Sequence, residues 1–197
     1  MKDYQTFVTH LECSYTGKIY QADKLHGLSD AGKPLLVRYD LEKLSKSIKR
    51  ESLLTRAPEF WRYRELLPVR KSENIVRLGE VMTPILPAKK LQLEWGCGEI
   101  LIKDEGRLPT GSFKARGLAL AVAMAKELGV SRMAMPTNGN AGAALAAYCS
   151  RAGIETFVFC PEDTPKVNID EISFLGAKTF LANGLINDCG RVVGEGK

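Results

Sequence analysis

The chain has 197 residues, 45% of them hydrophobic and 26% charged, with a formal net charge of +5, the balance of a soluble globular protein of one ordinary domain or two small ones. No apolar run approaches the ~20 residues that span a bilayer, no basic stripe is interleaved with stacking aromatics as nucleic-acid binding requires, and the segment from Met1 to Glu12 lacks a secretory apolar block, so neither membrane nor nucleic acid is an expected partner and a cytoplasmic setting is expected. Five cysteines, an odd number with no C-x-x-C pair, and only two histidines, His10 and His26, argue against a disulfide framework and against a metal site.

In chain order, the first 40 residues read as short strands at Phe7–Leu11, Lys18–Gln21 and Pro34–Tyr39, with turns at Gly17, Gly27 and Gly32. Residues 41–67 read as one or two helices, with Pro58 as a first-turn residue. Basic residues crowd the stretch 43–77 and are expected on solvated helix faces. Thr83-Pro84 and Leu86-Pro87 hold Arg77–Pro87 extended, and Glu99–Lys103 is a strand.

Beyond Gly111 the pattern becomes regular. Three helices end at Gly129, Gly153 and Gly176, where glycine takes the left-handed backbone without strain. The strands Arg132–Met135, Ile154–Cys160 and Ala177–Leu181 follow them. The glycines are 24 and 23 residues apart, the pace of βαβ units and a parallel sheet. Thr164-Pro165 starts the helix Lys166–Leu175, and Cys149 and Cys160 sit in apolar runs as core residues. The expected division is a leader with helices over residues 1–75 and an α/β region over 76–197. The run Val192–Lys197 has a helix under way with no cap or closing strand, so the sequence is expected to be the front portion of a longer protein.

Two junctions carry the chemistry. The first is Pro109-Thr110-Gly111-Ser112-Phe113-Lys114-Ala115-Arg116-Gly117. With Ser112 as N-cap, Lys114 falls on the first turn of a helix that is apolar on nearly all sides and expected to be buried. Lys114, Leu118, Ala121 and Ala125 share one face. Desolvation and the positive end of the helix both disfavour the ammonium form, and a neutral amine condenses with aldehydes. Taken alone, Lys114 also fits a residue that snorkels from a helix end.

The second junction is Thr137-Asn138-Gly139-Asn140-Ala141-Gly142, at the carboxyl end of a parallel strand, where open α/β sheets place ligands. Free N–H groups of the following helix suit a carboxylate. Gly139 and Gly142 allow close backbone approach, and Thr137 and Asn138 can add side-chain donors. Taken alone, the loop also fits an ordinary βα turn.

Together, with Lys114 and Asn140 26 residues apart, the two motifs resemble the fold-type-II pyridoxal phosphate (PLP) enzymes of the tryptophan synthase β-like family, and within it the threonine synthases. The resemblance implies an α/β fold of parallel-sheet βαβ units with a short-stranded N-terminal segment. It makes Lys114 the catalytic, Schiff-base lysine. It directs Asn140 toward the cofactor's 3′-oxygen, places Thr137, Asn138, Gly139 and Asn140 around the substrate carboxylate, and packs Phe113 against PLP. Lys103-Asp104-Glu105-Gly106 matches the family's K-x-E-x segment. Leu11–Tyr20 and Pro34–Leu41 look like the leader of many threonine synthases.

The implied reaction is a lyase step in threonine biosynthesis, turning O-phosphohomoserine and water into threonine and phosphate, with an amino-acid substrate and a homodimer as partners. The alternatives are a serine or threonine dehydratase, another β-replacement enzyme such as a cysteate synthase, or an inactive truncated fragment. Three departures stand out. Cys13 has Thr16 where many leaders carry a second cysteine. Ala115 replaces an acid that follows the lysine in many relatives, leaving Arg116 without that neighbour. The later glycine-rich phosphate cradle is missing, and Gly194-Glu195-Gly196 is too short and too terminal to serve.

Overall fold

A computed structural model describes residues 3–196; Met1, Lys2 and Lys197, which belong to the terminal stretches read above, lie outside the described residues. Strands β1 (Val8–Cys13), β2 (Ile19–Tyr20) and β3 (Leu35–Tyr39) form an antiparallel sheet in the order β2-β1-β3. It is thinly covered: β1 buries Val8 and Cys13, while β3 leaves Leu36, Val37 and Tyr39 exposed.

The stretch read as one or two helices over 41–67 is more broken than that. Helices α1 (Leu41–Ser47) and α2 (Arg50–Leu54) are short, and Phe60–Leu66 is a 3-10 helix. Asp40 caps α1 by accepting from Lys43 N at 3.0 Å. Pro58 lies just outside the 3-10 helix, before its N-cap Glu59, rather than in its first turn. The basic residues here are not all solvated. Arg56 makes two 2.7 Å bonds to Glu65, and both side chains are largely buried.

Strands β4 (Ile85–Pro87) and β5 (Leu101–Lys103) pair antiparallel. Between them lies a helix not anticipated from the sequence, α3 (Lys89–Trp95), which ends on Gly96 at φ 59°. The same glycine signal that marked the later helices was present there.

The remainder follows the expected α/β pattern. Helix α4 (Lys114–Glu127) leads to β6 (Arg132–Pro136), then α5 (Asn140–Ala152), β7 (Glu155–Pro161), α6 (Lys166–Phe174), β8 (Lys178–Ala182) and α7 (Ile186–Glu195). The three strands are parallel, in the order β6-β7-β8. Gly129, Gly153 and Gly176 follow their helices with φ of 73°, 71° and 95°, as their placement predicted.

Helices α5 and α6 cover one face of the sheet, burying Ala143, Ala146, Val158, Cys160 and Ile172 together. Helix α7 packs against β6 and β7 from the other side. Helix α4 packs on α5, and their small residues merge with Trp61, Val69 and Leu108 into the main core. Cys149 and Cys160 are fully buried, as core residues should be.

Candidate active site

Two helix beginnings face a common space. A cavity of about 520 Å³ is lined by Lys114 at the start of α4, by residues 136–141 at the start of α5, by Asn168 of α6 and by Ile186 of α7. Its size falls within the roughly 300–1,000 Å³ of small-molecule sites. It lies at the carboxyl end of β6, where the strand-to-helix order predicts a ligand.

Lys114 does not sit as the sequence suggested. The buried face of α4 is Ala115, Ala119, Val122 and Ala123. On the face expected to be buried, Lys114 and Leu118 are only half-buried and Ala121 is exposed, while Ala125 is buried. The helix is therefore apolar all round in sequence but fully packed on one side only over its first two turns. Lysine reaches the cavity from the open side, with Nζ 4.7 Å from the centroid of the Phe113 ring. Phe113 itself is 59% exposed.

The cap is only partly as expected. Ser112 is in extended backbone at φ −152° and ψ 160°, and its carbonyl accepts from Ala115 N at 3.3 Å, so its backbone holds the N-cap position ahead of Phe113, whose backbone is already helical. Its hydroxyl, however, bonds none of the first-turn N–H groups: among the described residues it is buried without a partner, as is that of Thr110. Thr110 is in the left-handed region at φ 61°, where a β-branched residue is strained by ~1–3 kcal/mol.

The loop before α5 is arranged oppositely. Thr137 is buried, and its hydroxyl accepts from Gly139 N at 3.0 Å and Gly142 N at 3.1 Å. It therefore caps the helix from within rather than offering a donor to the cavity. The N–H groups of Asn138, Asn140 and Ala141 make no hydrogen bond among the described residues. They remain available to an anion at the positive end of a thirteen-residue helix. Gly139, at φ 141°, admits no side chain, since a Cβ there would lie 2.5 Å from Asn168 Nδ2. Gly142 serves packing instead of a ligand: a Cβ would lie 2.5 Å from Thr137 Cγ2 and 3.0 Å from Val158 Cγ1.

The polar residues behind the site were largely illegible in sequence. Arg116, expected to lack an acidic neighbour, finds one across the fold. Its Nε and Nη2 donate to Glu105 at 2.5 and 2.9 Å, and Thr83 Oγ1 donates to the same carboxylate at 2.5 Å. The Arg116 guanidinium beside Glu105 holds that carboxyl down from its ordinary 4.5 to about 2. The K-x-E-x segment was the one signal for this pair. Asn168 of α6 carried no signal, because its approach depends on how α6 lies against α5.

The class of protein these features define is also found by comparison. The model of the pyridoxal-phosphate dependent enzyme family matches residues 76–196, and the chain belongs to that family. Among curated relatives, a threonine synthase of Methanocaldococcus jannaschii is 37% identical over 179 residues, covering 89% of this chain and 44% of that protein. A threonine synthase of Halalkalibacterium halodurans is 46% identical over 100 residues, 51% of this chain and 28% of that protein. The chain thus spans less than half the length of these relatives. A diaminopropionate ammonia lyase from Escherichia coli shares the fold at a TM-score of 0.57 and 24% identity, over 61% of this chain and 35% of that one. Maize serine racemase does so at 0.52 and 21%, over 58% and 35%. The expected α/β fold of the fold-type-II PLP enzymes is therefore the one observed.

The residues present suit the aldehyde-bearing end of PLP and an amino-acid carboxylate. A primary amine enters the cavity, and three backbone N–H groups unbonded among the described residues line it. Among the described residues, no helix is long and apolar enough to cross a membrane.

Proposed function

We propose that this chain carries the lysine and carboxylate-binding part of a PLP-dependent threonine synthase, acting in the cytoplasm on O-phosphohomoserine and water to release threonine and phosphate. The observation that carries the reading is that Lys114 and the 137–141 turn line one cavity although they begin different helices. The similarity to threonine synthases supports the choice of reaction.

Lys114 would hold the cofactor through its amine, and Asn140 would orient it from the first turn of α5. When bound, PLP supplies an electron sink for charge that develops at the substrate's α carbon. Lys114 Nζ then acts as the base that takes the α proton and as the acid that returns protons along the carbon chain. It stands at the open end of α4, with room to swing between these positions. The unbonded N–H groups of Asn138, Asn140 and Ala141 bind the substrate carboxylate and fix the α carbon against the amine. Phosphate leaves the γ carbon, and water adds at the β carbon.

Adding PLP to the purified chain is expected to give a visible absorption band that Lys114→Ala abolishes. A band that survives in the variant would refute the lysine assignment. With O-phosphohomoserine, an enzyme that carries this part is expected to release inorganic phosphate without a ketoacid; ketoacid release would identify a dehydratase instead.

A further inference from the structure

Away from the cavity, the core holds a carboxylate for which packing alone gives no reason. Glu80 is 1% exposed, and Tyr148 is fully buried. Tyr148 Oη donates to Glu80 Oε1 at 2.5 Å, and Leu78 N donates to the same oxygen at 2.9 Å. The other oxygen, Oε2, is buried with no partner among the described residues. A buried carboxylate satisfied on one side only is costly, and apolar side chains of similar volume would fill the space as well or better. Burial and the neighbouring Glu80 together drive the Tyr148 phenol far above its ordinary range.

What the arrangement supplies is a connection. Tyr148 lies on α5, two turns beyond Asn140. Three residues after Glu80 comes Thr83, which donates to Glu105 and accepts from Arg116 Nη2 at 3.3 Å. Arg116 lies two residues beyond Lys114 on α4. The segment between is held firmly: Phe60 N donates to Glu80 O at 3.3 Å, and Lys103 Nζ to Thr83 O at 3.2 Å. The strap 78–84 thus grips both helices that open onto the cavity through its two polar side chains, Glu80 on α5 and Thr83 on α4.

We propose that Glu80 is a positioning residue for the lysine site: by holding Tyr148, it sets the start of α5 against the start of α4, so that the carboxylate-binding turn faces Lys114. The importance of this registration to catalysis rests on the function proposed above, in which both turns act on one substrate.

The decisive variant is the pair Glu80→Leu with Tyr148→Phe, which replaces the clamp by apolar contacts. The paired variant is expected to melt no lower than the native chain. In the unliganded protein, hydrogen exchange at the amides of Gly139, Gly142 and Ala143 should nevertheless quicken about tenfold while the sheet amides of β6 and β7 are unchanged, and the PLP dissociation constant should rise about tenfold. Glu80→Gln, whose carboxamide oxygen still accepts from Tyr148, should restore most of both. Unchanged exchange at the α5 start would overturn the proposal, as would exchange that quickens uniformly in step with a lower melting temperature. If the paired variant does not fold, Tyr148→Phe alone decides by the same two readouts. A native chain that takes up no PLP would refute the function above, while the exchange comparison would still judge the clamp.

Discussion

The turns that begin α4 and α5 solve the same problem in opposite ways. Each must present polar groups to a cavity at the end of a helix that contributes small apolar side chains to the core. Before α5, one buried hydroxyl, that of Thr137, satisfies two backbone donors, and Gly142 lets the helix lie directly on the sheet. Before α4, two buried hydroxyls have no partner, and Thr110 holds a left-handed backbone. The first turn is complete by itself and leaves three N–H groups for a ligand. The second stores strain, as functional sites do when the surrounding structure over-determines them. An anion site needs a rigid ring of donors. In the proposed function Lys114 must capture and release a group, which needs room, and the open face of α4 provides it.

Substitutions can break this comparison. Gly142→Ala should cost the most, ~1–3 kcal/mol or more, because the new methyl meets Thr137, Val158 and Ile172 at once. Chemical denaturation would show it, and a neutral result would mean α5 does not rest on the sheet as described. Thr137→Val keeps the shape but strands two buried donors, and should lose about 1–3 kcal/mol. If stability is kept, the self-satisfied turn is wrong.

An acid titration sharpens the α4 side. The Glu105 carboxyl titrates near 2 in the folded chain against an ordinary 4.5. Its stabilising contribution is therefore complete above about pH 4.5 and is lost as pH falls toward 2. Arg116→Met should flatten the unfolding profile across that window, and an unchanged profile would discredit the ion pair. The smallest effect is expected from Thr110→Gly. It should raise stability by ~1 kcal/mol through relief of left-handed strain, less whatever glycine's freedom in the unfolded chain takes back. Clear destabilisation would show that the threonine side chain has a partner after all.

Much of the fold was legible because its signals are local. The glycines at 129, 153 and 176 mark helix ends through the backbone of one residue, and the strands between them stand out by composition. Lys114 and the 137–142 turn were legible as motifs. Helix α3 went unread although Gly96 carried the same signal as the other three glycines, since seven residues between two short strands hold too little periodicity. Ser112 has the backbone of a cap, but among the described residues its hydroxyl is buried without bonding the first turn, an outcome set by the surrounding packing. Arg116 had only the K-x-E-x segment as a signal, and Glu80 and Asn168 had none. Their partners, Glu105, Tyr148 and Gly139, lie on other elements, 68 residues away in the case of Tyr148.

By itself, the sequence determined the run of βαβ units and the two residue groups around Lys114 and Asn140 on which the proposed chemistry rests, because hydrophobic period, glycine backbone freedom and motif spacing act within a few neighbouring residues. Only the tertiary structure decided which face of α4 is buried, that Thr137 caps its own helix, and which carboxylates hold the two helices. Those outcomes depend on burial and on hydrogen bonds between distant segments, and neither exists until the layers have packed.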